Sequence, residues 1–252
     1  MPAPTNRFKA RLKSGETQIG LWVSMGDASV AELAAHCGFD WLVIDGEHGP
    51  NGLRDILAQL RAVGDRSHPV VRVRDDNRAE IKQMLDIGAQ TLLVPMIEST
   101  AQAREAVRSM FYAPQGVRGV GAALARASGY GAAGDYLATA NDQVCLLLQV
   151  ESRAGLGALD EILTLEGVDG IFIGPADLAA DMGHRGNPGA AEVQAAVTDA
   201  LTRIRAAGRA AGILTSDRAL ARSYAAMGVE FLAVGSDVGT LRAGLTALRK
   251  EF

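Results

Sequence analysis

Lysine is scarce in this chain. There are four, Lys9, Lys13, Lys82 and Lys250, within a total of 25 lysines and arginines. None sits at the end of an apolar run, so a Schiff-base mechanism has no candidate nucleophile. Cysteine is scarcer still, at two residues. Cys37 lies in a helix-like stretch and Cys145 in an apolar run, which predicts two reduced, packed thiols in a cytoplasmic protein. No run of about 18 apolar residues is present, so no membrane span is expected. The opening "MPAPTNRFKARLKSG" has no apolar h-region, and no secretory leader is expected there. Nor is there an excess of positive charge. The formal net charge of -4 and the pI near 5.6 argue against nucleic-acid or anionic-membrane partners. No Ser or Cys is paired with a base in a recognisable nucleophile elbow.

What is present is a rhythm. Short apolar runs, "IGLWVSM" (19–25), "DWLVIDG" (40–46), "PVVRV" (69–73), "TLLVPMI" (91–97), "VCLLLQVE" (144–151), "VDGIFIG" (168–174), "AAGILTS" (210–216) and "FLAVGSD" (231–237), alternate with helix-period segments. The runs are nearly continuous, as parallel strands covered on both faces must be. Helical segments such as "RAEIKQMLDIG" and "DRALARSYAAMG" close on glycine, as helix ends prefer. Eight βα units in 252 residues is the arithmetic of an α/β fold of the (β/α)8 type. An open doubly wound sheet would carry a Gly-rich phosphate turn after its first strand, and "SMGDAS" does not match one. No linker or repeat divides the chain, so residues 1–252 read as one barrel domain. The irregular segment 112–131, with Arg118 and Arg126, reads as a functional loop or an oligomer contact.

In such a barrel the reactive residues collect at the C-terminal strand ends. Asp45, Glu47 and His48 follow strand 2, Arg72 lies in strand 3, and Gln149 and Glu151 end strand 5. Asp177 follows strand 6, and Ser236 and Asp237 end strand 8. Glu151 and Asp177, on neighbouring strands, would repel unless they share a proton or a cation. An all-oxygen pair suits Mg²⁺ or Mn²⁺ and leaves positions open for water and substrate. The alternative is a pair of surface acids, with Asp177 a helix cap. His48, three residues after Asp45, is either a turn residue or an acid/base whose ring Asp45 orients. Arg72 on an apolar strand demands an anion: a barrel carboxylate, a substrate oxyanion, or both. Glu47 reads as a support for the metal ligands or a salt-bridge partner. With no lysine available, carbanion chemistry here needs a metal as electron sink.

The motifs "GFDWLVIDGEHGPN", "PVVRV", "TLLVPMIES", "GVRGVGAALARAS", "LLLQVESRAG" and "GVDGIFIGPADLAADMG", with "GLWVSM", "GILTS" and "AVGSD", run in order over nearly the whole chain. Together they resemble the HpcH/HpaI family of metal-dependent (class II) pyruvate aldolases, in the phosphoenolpyruvate/pyruvate barrel superfamily. The resemblance implies reversible cleavage of a 4-hydroxy-2-oxo acid to pyruvate or hydroxypyruvate and an aldehyde, through a metal-stabilised enolate. It implies Glu151 and Asp177 as ligands of Mg²⁺, Mn²⁺ or Co²⁺, with no organic cofactor and Gln149 beside them. Arg72 would bind the keto oxygen, and His48 oriented by Asp45 would be the acid/base. The backbone at Gly174, Pro175 and Ala176 would hold the pyruvate carboxylate, while Trp22 and Leu214 would line the aldehyde pocket. It further implies a hexamer, a trimer of dimers that exchange C-terminal helices, for which 238–252 is a fitting amphipathic segment. A CoA-thioester lyase, a 2-oxo-acid decarboxylase and a barrel that only binds 2-oxo acids are the alternatives. The scattered lysines supply no basic stripe for CoA phosphates.

Overall fold

The structure, a computed structural model, describes residues 1–252. The eight strands are β1 (Gln18–Val23), β2 (Trp41–Asp45), β3 (His68–Arg72), β4 (Thr91–Val94), β5 (Cys145–Val150), β6 (Gly170–Ile173), β7 (Ala210–Leu214) and β8 (Phe231–Ser236). All pairings are parallel, and β8 closes on β1 to complete a barrel in sequence order. The helices are α1 (Arg7–Ser14), α2 (Ala28–Ala35), α3 (Leu53–Val63), α4 (Arg78–Asp86), α5 (Thr100–Met110) and α6 (Tyr136–Gln143). After β5 come α7 (Arg153–Leu163), α8 (Pro175–Asp181), α9 (Ala191–Ala206), α10 (Arg218–Ala226) and α11 (Asp237–Arg249). Each of the eight apolar runs overlaps a strand, although β1 and β3 begin one residue earlier than their runs. The fourth is shorter than its apolar run, because Met96 turns to a φ of 54°, a left-handed conformation that ends extended pairing.

The parity of the strands decides where the site lies. Successive side chains on a strand point to opposite faces. The inward positions of β2 are Trp41, Val43 and Asp45; those of β3 end in Val70 and Arg72; those of β5 are Cys145, Leu147 and Gln149. Trp41, Val43, Val70, Cys145 and Leu147 share one interior cluster with Trp22, Leu93, Phe172 and Phe231. Their neighbours Ile44, Val71, Leu146 and Leu148 belong instead to the layer packed against the helices. Asp45, Arg72 and Gln149 are therefore the last inward positions of their strands, above an apolar plug.

That plug is aromatic. Trp22, Phe172, Phe231, Trp41 and Phe8 form a chain with centroid separations from 5.5 to 6.1 Å. Space for it comes from glycine: a Cβ on Gly20 would meet Trp41 at 2.2 Å, and one on Gly212 would meet Phe231 at 2.0 Å. Helix α1 closes the N-terminal end by inserting Phe8 and Leu12. Burial of a side chain such as Phe8 contributes about 1.5–3 kcal/mol.

One expectation is corrected. Cys145 is buried, but Cys37 is exposed, because it lies in the turn after α2 and not on the packed face of that helix. Segment 112–131 packs at the N-terminal end of the barrel, away from the strand-end acids of its own chain. Arg118 is fully buried on Asp86 at 2.7 Å, with its guanidinium 4.3 Å from the centre of the Tyr112 ring. Arg126 donates to the Ile87 carbonyl at 2.8 Å. Both partners close α4, so the loop braces the end from which β4 begins. No helix is long and apolar enough to cross a membrane.

Candidate active site

Asp45 and Arg72 are register partners on β2 and β3. Their side chains, both buried, form a two-point fork: Nε to Oδ1 at 2.9 Å and Nη2 to Oδ2 at 2.7 Å. Planar guanidinium and planar carboxylate match in this geometry. Trp22 Nε1 donates to Asp45 Oδ2 at 3.1 Å, and its ring lies 4.9 Å from the Arg72 guanidinium carbon. Burial would raise the Asp45 carboxyl. The Arg72 ion pair, with the His48 N–H and the Trp22 indole, outweighs it and holds Asp45 below the usual carboxylate range. Arg72 also brings Nη1 to within 2.7 Å of Glu47 Oε2.

The expected Asp45–His48 dyad is absent. Asp45 accepts the backbone N–H groups of Glu47 and His48, at 3.1 and 3.2 Å, and not the imidazole. The His48 ring projects to solvent, 68% exposed, with Nε2 3.9 Å from Glu47 Oε1. The reason is local: the three-residue turn points both amides at Asp45 Oδ1, while the fork to Arg72 occupies the carboxylate. Glu47 is thus the acid nearest the imidazole. Its carboxyl is raised above the ordinary value by burial, against the pull of Arg72 and His48.

Across the mouth, Glu151 is buried. Its Oε1 accepts the Met96 N–H at 3.0 Å and its Oε2 accepts from Gln149 Nε2 at 2.6 Å. The left-handed turn at Met96 is what aims that amide. Burial raises the Glu151 carboxyl, the two hydrogen bonds oppose the rise, and Asp177 and Glu47 add to it as like charges. Neither Glu151 nor Asp177 has a basic partner among the ion pairs of the chain, whereas Arg72 is committed to Asp45 and Glu47. Asp177 is exposed in the first turn of α8, after Gly174 and Pro175. The first-turn N–H groups there have no intrahelical acceptor.

These residues suit a hard cation on three observations. Gln149 Oε1 is buried without a hydrogen-bond partner. A Cβ on Gly174 would come within 2.2 Å of Glu151 Oε2, so glycine keeps that oxygen's approach clear. The donors are carboxylate and amide oxygens, the set that Mg²⁺ and Mn²⁺ prefer. No group of three or more His, Cys, Asp or Glu is assembled as a cage. Glu151 and Asp177 are two strand-end carboxylates here without a basic partner.

Trp22 stands over the Asp45–Arg72 fork, and Leu214 is half-buried at the end of β7, packed on the same interior cluster. Several supporting residues escaped sequence reasoning. Asn51 Nδ2 donates to the Asp45 carbonyl at 2.7 Å and its Oδ1 accepts from buried Gln59 at 2.6 Å, which fixes the turn carrying Glu47 and His48. Asp237, read as a strand-end acid, accepts from the backbone of Ser24 and Met25 at 3.0–3.1 Å and ties α11 to the loop after Trp22. Asn51 in "GPN" had a detectable signal, a turn-forming residue beside the acids. The Met96 amide had none.

Known proteins resemble this chain over nearly its whole length. Residues 18–243 match the family model described as HpcH/HpaI aldolase/citrate lyase. A hydroxypyruvate/pyruvate aldolase of Pseudomonas aeruginosa is 58% identical over 253 residues, covering 100% of this chain and 94% of that protein. A 4-hydroxy-2-oxo-heptane-1,7-dioate aldolase of Shigella sonnei is 52% identical over 248 residues, covering 98% and 95%. A solved HpcH/HpaI aldolase/citrate lyase family protein of Burkholderia cenocepacia superposes with a TM-score of 0.93 at 43% identity, over 98% of this chain and 99% of that one. With barrel, strand-end acids and sequence in agreement, the chain belongs to the HpcH/HpaI aldolase/citrate lyase family.

Proposed function

We propose that this chain is a divalent-metal-dependent aldolase, a carbon–carbon lyase that reversibly cleaves 4-hydroxy-2-oxo acids to pyruvate or hydroxypyruvate and an aldehyde. The observation that carries the reading is Glu151: a buried carboxylate with Asp177 and Glu47 as acidic neighbours and no cationic partner. Glu151 and Asp177 would hold Mg²⁺, Mn²⁺ or Co²⁺, with Gln149 Oε1 directed to the substrate or a water. When bound, the ion supplies Lewis-acid polarisation of the 2-oxo acid's oxygens.

The side chains divide the remaining work. Arg72 has five N–H donors, of which Asp45 takes two and Glu47 faces a third. Two remain for the keto oxygen, where negative charge develops as the enolate forms, and a fixed guanidinium stabilises that charge without reorganising. Asp45 holds Arg72 in place, and the Trp22 indole holds Asp45. Backbone N–H groups following Gly174 and Pro175, at Ala176 and Asp177, receive the substrate carboxylate. His48 takes the C4-hydroxyl proton through a water, the C3–C4 electron pair becomes the enolate, and the aldehyde departs past Trp22 and Leu214. Proton return to C3 completes pyruvate.

The same reading takes the enzyme as one barrel domain, cytoplasmic, acting on small molecules and assembled from copies of itself. Val238, Leu241, Leu245 and Leu248 form a stripe on α11 that is 46–58% exposed. Such an apolar face is the kind that a second copy covers, and it supports helix exchange within a hexamer.

Exchange of pyruvate methyl protons in D₂O tests the assignment without a choice of aldehyde. Metal-dependent exchange that is lost in Glu151→Ala and Arg72→Ala is the expected result. Equal exchange in wild type and Glu151→Ala would move the metal elsewhere. Cleavage of 4-hydroxy-2-oxo acids that proceeds without any metal would overturn the mechanism.

A further inference from the structure

A cavity of about 940 Å³ lies at the N-terminal end of the barrel, opposite the strand-end acids. Its walls come from strand starts (Gln18, His68), the α1 segment and the loops at 64–67, 88–90 and 126–130. Its size falls within the range of small-molecule sites. The charge on its walls is the reverse of the chain's. Arg7, Arg11, Arg66, Arg118 and Arg126 line it against Asp40 and Asp65, in a protein of net charge -4.

Two of these arginines are already neutralised: Arg11 by Asp40 and Arg118 by Asp86, each at 2.7 Å. Arg126 is half-buried, and its one hydrogen bond goes to the neutral Ile87 carbonyl. Arg66 forms no side-chain hydrogen bond or ion pair. Arg61 reaches the same corner, with Nη2 3.3 Å from the hydroxyl of Tyr130, another wall residue. Neither Arg61 nor Arg126 is paired with a carboxylate; burial lowers the proton affinity of Arg126, and the nearby Arg61 charge lowers it further. Like charges so placed are stabilised by an anion. Two wall residues also carry buried polar atoms that lack partners: Ser67 Oγ, and Nε and Nη1 of Arg118. His68 adds no charge. Burial depresses it to about 3, and its Nε2 is engaged with Thr91 Oγ1 at 2.7 Å.

We propose that this cavity binds a small multivalent oxyanion, inorganic phosphate or the phosphate group of a metabolite, held by Arg126 and Arg66 with Arg61 and the Ser67 hydroxyl around it. Guanidinium groups suit phosphate because their paired N–H donors match its oxygens. Such a ligand would bridge the 64–67 and 126–130 loops, which close the barrel at the end away from catalysis. The site is independent of the aldolase reading.

The test is calorimetric titration of inorganic phosphate into the metal-free enzyme, at ionic strength matched with sodium chloride. Saturable binding of one phosphate per chain is expected, weakened at least about tenfold in Arg126→Gln and in Arg66→Gln and unchanged in Arg72→Ala. Arg66 is exposed and unpaired, so its variant keeps the test valid should Arg126→Gln fail to fold. Aldolase activity of the Arg66→Gln enzyme remains that of wild type. A second arm replaces phosphate with glycerol phosphate: tighter binding of the ester identifies a metabolite as the source, and tighter binding of inorganic phosphate identifies the free ion. No saturable heat above the chloride control overturns the proposal. So does binding that is lost in Arg72→Ala while both cavity variants retain it.

Discussion

Arg72 and Asp45 meet side by side on adjacent strands, in register, through two hydrogen bonds of 2.9 and 2.7 Å. The pair is buried, and each member is the last inward residue of its strand. The arginine proposed to stabilise developing charge is thereby fixed in place, by an acid that a His–Asp dyad would have assigned elsewhere.

Replacing Asp45 with Asn removes the negative half of that fork and leaves the guanidinium buried beside Glu47 alone. Breaking one side of a buried pair costs about 3–5 kcal/mol. Asp45→Asn is expected to lower the unfolding free energy by that order and to reduce kcat at least about a hundredfold. Chemical denaturation and steady-state kinetics with the metal present check both. Normal kcat in a destabilised variant would assign Asp45 to stability alone.

Gly174→Ala addresses the proposed metal site without touching either proposed ligand. Its Cβ would sit 2.2 Å from Glu151 Oε2, so that carboxylate must move. Weakened Mn²⁺ binding, measured by the paramagnetic signal of the free ion, and a far-UV spectrum like wild type are the expected outcome. Unchanged Mn²⁺ affinity would show that Glu151 Oε2 is not part of the site.

His68 stacks on Phe8 with centroids 5.2 Å apart, and burial lowers its pKa to about 3. A depressed histidine binds protons less readily folded than unfolded. Its stabilising contribution is therefore present above the unfolded value near 6.5 and is lost as pH falls from there toward 3. Thermal melts of the metal-free protein should show stability declining below about pH 6.5, with a shallower decline in His68→Gln. Identical slopes in the two proteins would remove His68 from the acid response.

Gly212→Ala should destabilise through crowding, since its Cβ would lie 2.0 Å from the Phe231 ring. Overpacking of this kind costs about 1–3 kcal/mol. A lowered melting temperature with little change in KM is expected. A melting temperature equal to wild type would mean that the aromatic plug repacks freely.

Much of the barrel was legible because its signal is local. Each apolar run is long enough to read, and several helices end on a glycine stop, as at Gly88 and Gly228, whose φ values are 98° and 80°. Asp45, Arg72, Gln149 and Glu151 stood out because polar residues at the ends of apolar strands have few explanations. Their partners were less visible. The sequence distance of three between Asp45 and His48 suggested a pair, but proximity in a turn does not fix where a carboxylate points. Arg72, 27 positions away, takes it. The Met96 amide that meets Glu151 comes from a backbone torsion with no side-chain signature.

The order of apolar runs, the scarcity of lysine and the acids at strand ends determined the fold class and the kind of chemistry, because periodicity and residue type act over a few neighbouring positions. Only the closed barrel decided which acid holds Arg72, that the amide oxygen of Gln149 is left without a partner, and that the loop bearing Arg118 and Arg126 braces the opposite end. Those outcomes depend on strand register and inward parity, which are set when β8 meets β1 and every inward side chain must share one interior.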